Sequence, residues 1–156
     1  MSRRDQIKLT DQEMRDFLNA HRTIILNSIA PDGVPHPMPM WFVYGDAAVF
    51  SMTTFTKSQK IKNIERDPRV SLLAEDGEQY EKLRAVVMNG TAELIHDTQK
   101  VADILEAITL RTGGAPPEDA TSFREGLVKR AEKRTGIRVM PSKIVSWDHR
   151  KLGGKY

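Results

Sequence analysis

Cysteine is absent from this 156-residue sequence, which excludes disulfides, thiolate nucleophiles and cysteine-ligated zinc or iron–sulfur centres. The four histidines, His21, His36, His96 and His149, lack metal-ligand spacing and read as loop or surface residues, so no metal site is expected. No uninterrupted apolar run approaches membrane-spanning length, and the opening Met1-Ser2-Arg3-Arg4 leads into no apolar leader segment. A cytoplasmic chain with no membrane partner is the expectation. A strong excess of one charge is missing too: 24 Lys and Arg against 21 Asp and Glu leave +3. That mild balance favours anionic small ligands without making the basic face of a nucleic-acid binder. The nucleophile elbow, the dinucleotide glycine fingerprint and the phosphate-binding glycine loop of nucleotide hydrolases are also lacking.

What is present is an ordinary globular balance, 39% hydrophobic and 29% charged, in a chain long enough to bury a core. No repeat, low-complexity segment or long linker divides it, so residues 1–156 read as one domain. The most informative stretch runs from Ser51 to Leu73. It reads as the end of one strand, a hydroxyl-rich loop, a short cationic helix and the next strand. Ile61 and Ile64 share a helical face, the helix starts near Ser58, and Asp67-Pro68 stops it. Thr53, Thr54, Thr56 and Ser58 offer hydroxyls beside the unpaired N–H groups of the helix start, and Lys57, Lys60 and Lys62 add charge. Such a convergence suits a phosphate or carboxylate ligand. The plainer alternative is an N-cap serine on a solvated basic helix.

In chain order, Thr10-Asp11-Gln12-Glu13 is a capping box that predicts a helix over about 10–20. A barrel core is expected from about 23 to 147: a strand over Thr23 to Ile29, a Pro31-Asp32-Gly33 turn, and a second strand over Pro37 to Tyr44. Pro37 and Pro39 cannot donate to a ladder, so this half must lie at an edge or against a ligand. Glu75 to Glu78 reads as a solvated acidic loop, and Arg84 to His96 as a long strand with a bulge at Asn89-Gly90. A helix capped by Asp97 follows, ended by Gly113-Gly114, with Ala115-Pro116-Pro117 as connector. A cationic helix from Phe123 to Arg134, closed by Gly136, has its Lys129 to Arg134 run on a solvated face. Ile137 to Trp147 forms the last strand, and 148–156 a polar tail. Six strands arriving mostly by hairpins imply a mainly β fold with helices, an antiparallel barrel with peripheral helices. A doubly wound parallel sheet would need a helix between successive strands.

The Pro-rich strand ending in Trp41-Phe42, the hydroxyl loop, Lys60-x-x-Asn63-x-x-x-Asp67-Pro68-Arg69-Val70-Ser71-Leu72 and Gly90-Thr91-Ala92-Glu93 together carry a resemblance. The chain resembles the pyridoxamine 5′-phosphate oxidase-like split-barrel superfamily, and within it the flavin and deazaflavin (coenzyme F420-dependent) oxidoreductases, best over Phe17 to Ile95. The resemblance implies a six-stranded antiparallel split β-barrel. It implies Lys60 as the cofactor-phosphate lysine, with Thr53, Thr54, Ser58 and Asn63 on the phosphate side and Lys62 near the anionic end. It also implies that the backbone of Pro39, Met40 and Trp41 lies along the ring system. Trp41 reads equally as a ring wall and as a core or interface aromatic, and Trp147 as packing. Gln59 stands where several flavin users carry arginine, and the lost guanidinium fork tilts the expectation from flavin mononucleotide (FMN) to coenzyme F420.

The function that follows is an oxidoreductase passing a hydride from a reduced deazaflavin or flavin to a small-molecule substrate, the chemistry being the cofactor's. Tyr80 and Arg84 are candidates for the substrate side. The alternatives are an FMN enzyme of the pyridoxamine phosphate oxidase type and a non-catalytic carrier of F420, flavin or haem. A homodimer with the cofactor at the subunit interface is expected, because a small split barrel alone offers only a shallow groove and the Pro37 to Tyr44 strand carries excess apolar surface.

Overall fold

A computed structural model describes residues 2–114 and 119–154 of the chain. The expected connector Ala115-Pro116-Pro117 lies outside the described residues. Two capping boxes start the chain: Ser2 with Asp5 opens α1 (Arg3–Ile7), and Thr10 with Glu13 opens α2 (Asp11–Ala20). The strands β1 (Thr23–Ile29) and β2 (Pro35–Trp41) form a hairpin, and β3 (Val43–Tyr44) and β4 (Phe50–Phe55) follow. α3 (Gln59–Arg66) leads to β5 (Arg69–Asp76) and the long β6 (Arg84–Ile95). α4 (Thr98–Arg111) and α5 (Ala120–Ala131) precede the closing strand β7 (Arg134–Asp148).

All pairings are antiparallel, in the order β2-β1-β5-β6-β7-β4-β3. The two edge strands, β2 and β3, are separated in sequence by Phe42 alone, so the sheet must curl until its edges meet there. This is an antiparallel split barrel with peripheral helices. It has seven strands rather than the expected six, because Pro37 to Tyr44 is broken at Phe42 into β2 and β3. Phe42 turns fully inward, its ring 5.9 Å from that of Phe50. The Arg111 guanidinium lies over it at 4.3 Å and donates to the carbonyls of Phe42, Leu18 and His21. One side chain from α4 thereby ties the end of α2 to the corner of the barrel. The prolines stand at alternate positions of β2 while β2 pairs with β1 throughout, so their missing N–H groups fall on the free edge.

Even-numbered residues of β1, β5 and β6 point inward, where Leu26, Leu72 and Met88 pack with Phe50, Met52 and Ile137. Ile61 and Ile64 of α3 close one end; fully burying a side chain such as Ile61 contributes about 1.5–3 kcal/mol. A second cluster lies outside the sheet, where Val101, Ile104, Leu105 and Ile108 of α4 meet Leu127 of α5 and Ile95.

The resemblance-bearing Asp67-Pro68-Arg69 is a structural corner. Asp67 adopts the extended conformation that the following proline demands, and its carboxylate accepts from the Arg69 N–H and guanidinium, holding its pKa down to about 2. The Pro68 carbonyl accepts from Ala92 at 2.8 Å. The bulge expected at Asn89-Gly90 is there, and a Cβ on Gly90 would fall 2.3 Å from the Met140 carbonyl oxygen.

Three local expectations are corrected. Thr53 and Thr54 belong to β4 rather than a loop, because these β-branched residues continue the ladder opposite Gly136 and Thr135. Gly136 does not close α5: it sits inside β7, where a Cβ would come within 3.1 Å of Ile104 and Ile95, so its bareness lets α4 settle on the sheet. Glu75 and Asp76 are strand residues, and Asp76 is held by Arg84 at 2.5 Å rather than solvated in a loop. No helix among the described residues is long and apolar enough to cross a membrane.

Candidate functional site

Where β2 and β4 face each other without a ladder, a cavity of about 370 Å³ opens. That is within the size range of cofactor sites. Its walls are Pro39, Met40 and Trp41 of β2, Thr53, Thr54 and Phe55 of β4, Lys60 of α3, Leu105, Ile108 and Thr109 of α4, and Arg130 and Arg134. Three cations and no carboxylate line it.

Lys60 is only 7% exposed, because the apolar face formed by Ile61 and Ile64 draws the start of α3 down onto the barrel end. Among the described residues its ammonium has one partner, the Thr54 hydroxyl at 3.0 Å, and no carboxylate pairs with it. Burial pushes its pKa below the usual lysine value. Ser58 occupies the N-cap position without capping; its oxygen accepts from the Thr54 hydroxyl at 3.4 Å. The N–H groups of Gln59 and Lys60, first in the helix, meet no protein acceptor among the described residues. A buried, under-coordinated ammonium beside free helix-start amides presents the charge and the donors that an anion would require.

Of the residues picked from sequence, Pro39, Met40, Trp41, Thr53, Thr54 and Lys60 converge on this cavity, and Ser58 joins through Thr54. Lys62 and Asn63 do not line it. Lys62 is exposed on another face of α3, since residues two apart on a helix diverge by about 200°. Asn63 is fully buried, donates to the Ser28 hydroxyl at 3.0 Å and accepts from Gln59, so it fastens α3 to β1. Trp41 is 60% exposed on the outer face, which removes the core reading. Arg84 binds Asp76 and lies over the Phe17 ring at 5.0 Å, away from the cavity. Tyr80 packs edge-on against His149, also remote from it.

Arg130 and Arg134 were hidden in a run that reads as solvated. Arg134 in fact begins β7, opposite Phe55 in register, with its guanidinium 4.5 Å above that ring. Burial, chiefly, and the neighbouring Arg130 charge lower its pKa. Only the β4–β7 pairing exposes this arrangement; nothing in the local sequence signals it. The wall from α4 is likewise part of an ordinary amphipathic helix in sequence.

A second cavity of about 440 Å³ lies on the outer face of β1, β5 and β6, with Asn27, Ser71 and Asn89 along it. Its one cation, Arg69, is already neutralised by Asp67.

The chain matches the family model described as pyridoxamine 5′-phosphate oxidase over residues 10–148. No curated protein matches it. Among solved structures, the conserved hypothetical protein Rv2991 from Mycobacterium tuberculosis is 36% identical, with a TM-score of 0.88, covering 100% of this chain and 95% of that one. An F420 reductase is 25% identical, with a TM-score of 0.63 and coverage of 83% and 94%. HutZ, the heme storage protein from Vibrio cholerae, shares the fold at 17% identity, with a TM-score of 0.66 and coverage of 87% and 94%. By sequence and architecture together, this chain belongs to the pyridoxamine 5′-phosphate oxidase family.

Proposed function

We propose that the protein is an oxidoreductase that binds coenzyme F420 in the seam between β2 and β4 and presents it to a small-molecule substrate. The observation that carries this reading is the buried Lys60 ammonium with a single hydroxyl partner and no counter-charge. An isolated buried cation is costly, and a phosphate at the start of α3 would supply both its missing charge and acceptors for the free amides of Gln59 and Lys60. Thr54 orients the ammonium from behind. Pro39, which has no N–H, stands with Met40 and Trp41 at a strand edge against which a flat ring can lie.

Bound in its reduced form, the cofactor supplies a hydride to an electron-poor acceptor. The protein's part is to fix the phosphate end, align the ring and keep water off its inner face. Among the described residues the cavity lining includes no histidine, carboxylate or tyrosine. The same lining suits a carrier that stores the cofactor without turnover, and stopped-flow mixing of the reduced complex with quinones and enones separates the two.

The preference for F420 over FMN rests on the cation distribution. Gln59, where a guanidinium fork is expected for FMN, turns to Asn63, leaving the phosphate to one lysine.

The seam is open on one side, and a second copy of the chain is its proposed cover. Across five strands, Pro39, Ile25, Leu73, Val87 and Val145 stand in register on the outer face, an apolar row continuous with exposed Trp41. A two-fold dimer buries such a row and completes the site. Fluorescence titration of F420 into wild type and Lys60→Ala tests the site, with Lys62→Ala as control. A charge-assisted hydrogen bond contributes about 1.5–3 kcal/mol, so Lys60→Ala is expected to weaken binding on the order of tenfold to a hundredfold, and Lys62→Ala far less. Equal affinity of wild type and Lys60→Ala refutes the assignment.

A further inference from the structure

Every described lysine but one is exposed. Lys60 is the exception: it is buried and yet lines an open cavity, so its Nζ is withdrawn from bulk water while a small molecule can still reach it. Among the described residues no carboxylate holds its charge. Burial pushes its pKa below the usual lysine value, which gives it a larger share of free amine at neutral pH than a solvated lysine has.

The hydrogen bonds around Nζ add a route for its proton. Nζ donates to the Thr54 hydroxyl at 3.0 Å, and that hydroxyl donates to the Ser58 oxygen at 3.4 Å, at the N-cap of α3. Two hydroxyls thus lead from the buried amine to the helix start. A desolvated amine with no counter-ion, a proton path behind it and a cavity in front is the arrangement in which lysine attacks carbonyl carbon. Holding a phosphate calls for the ammonium and uses none of this.

We propose that, in the ligand-free protein, Lys60 condenses reversibly with a short aldehyde that carries a carboxylate, and that the imine blocks the cavity until it hydrolyses. The Nζ lone pair attacks the aldehyde carbon and a C–N bond forms. The proton shed in that step has the Thr54 and Ser58 hydroxyls as its route. Both protons of the amine end on the carbonyl oxygen, which leaves as water, so a C=N bond remains and nothing is oxidised or reduced. The carboxylate is argued from the walls, where Lys60, Arg130 and Arg134 meet no acid and the first N–H groups of α3 lack a protein acceptor among the described residues. An aldehyde is favoured over an ester or thioester because its condensation releases only water, whereas acyl transfer must also expel a leaving group. The adduct takes up Nζ and fills the space before α3, so it competes with any anionic cofactor there. The inference rests on the buried amine and its cavity, not on which cofactor the cavity holds.

The experiment incubates dialysed protein with glyoxylate or with propionaldehyde, fixes imines with cyanoborohydride and maps the modified peptides by mass spectrometry. With glyoxylate, Lys60 is expected to react about tenfold faster than any other lysine, because the cationic walls concentrate the anion. Propionaldehyde should show a smaller lead. The rate at Lys60 should level off at lower pH than that of Nα-acetyl-lysine, and Lys60→Met should leave only slow labelling dispersed over the surface. Excess inorganic phosphate should protect Lys60. Labelling spread evenly over the lysines overturns the proposal, and an equal lead with both aldehydes overturns the carboxylate requirement. Labelling of Lys60 in a protein that binds no F420 supports the condensation and overturns the cofactor reading; F420 binding beside an inert Lys60 does the reverse.

Discussion

Replacing Lys60 by methionine should make the unliganded protein more stable while removing its ligand. The ammonium is enclosed with one hydrogen bond and no counter-ion, so folding strips most of its hydration without full replacement. Mutational data put the burial of an imperfectly compensated polar group at about 1–3 kcal/mol. Methionine keeps the length of the side chain and leaves the Thr54 hydroxyl bonded to Ser58, so little of the gain is given back. A net stabilisation of about 1 kcal/mol is expected at neutral pH, or roughly 2–4 °C in Tm for a chain of this size. The sign of the pH dependence follows from linkage. Burial lowers the Lys60 pKa from 10.5, so between the folded value and 10.5 the unfolded chain holds more protons. Stability of the wild type therefore rises with pH across that window, and the advantage of the methionine variant narrows as pH approaches 10.5. Below the window the penalty is present in full. Urea unfolding of both proteins at neutral and alkaline pH measures it. A variant less stable than wild type at neutral pH, or an advantage that grows with pH, would refute the picture of an uncompensated buried cation.

Arg111→Ala strips the carbonyls of Phe42, Leu18 and His21 of their shared donor, and a loss of about 2–4 kcal/mol is expected in chemical denaturation. Arg111→Lys, with no planar fork, should recover only part of it. Val87→Glu puts a charge in the middle of the outer apolar row, and light scattering should find a species near the 17.7 kDa of one chain, with weakened cofactor binding. A Val87→Glu protein that assembles and binds as wild type does would remove that row from the proposed interface.

Local signals carried the helices and most strand ends. The capping box at Thr10, the Asp97 cap and the apolar spacing of α4 all act within one or two helical turns, and α2 and α4 form where those signals place them. Asn89-Gly90 was legible as a bulge because the extended pattern ran on through it. The break at Phe42 was not, since it depends on Arg111, 69 residues away, reaching its carbonyl. For the site, the division falls in the same way. Lys60, Thr54 and the Pro39 to Trp41 edge lie near their own turns, and the resemblance pointed to them. Arg134 and Phe55 become neighbours only through the pairing of β4 with β7, and a basic run at a helix end carries no mark that separates solvated charge from a cavity wall. Asn63 shows the converse: it sits at a position that the resemblance gives to the cofactor, yet its amide is taken up by Ser28.

The prolines at 35, 37 and 39 bear on how this chain avoids other chains and itself. A free strand edge ordinarily invites a partner strand, through aggregation or by zipping to whatever edge is nearest, and here β4 is nearby. Three successive outward positions without an N–H deny every such suitor half its hydrogen bonds. The barrel can therefore neither anneal along the seam nor recruit a neighbour's strand into it, and the gap persists as a permanent feature of the fold rather than one that a ligand must prise open.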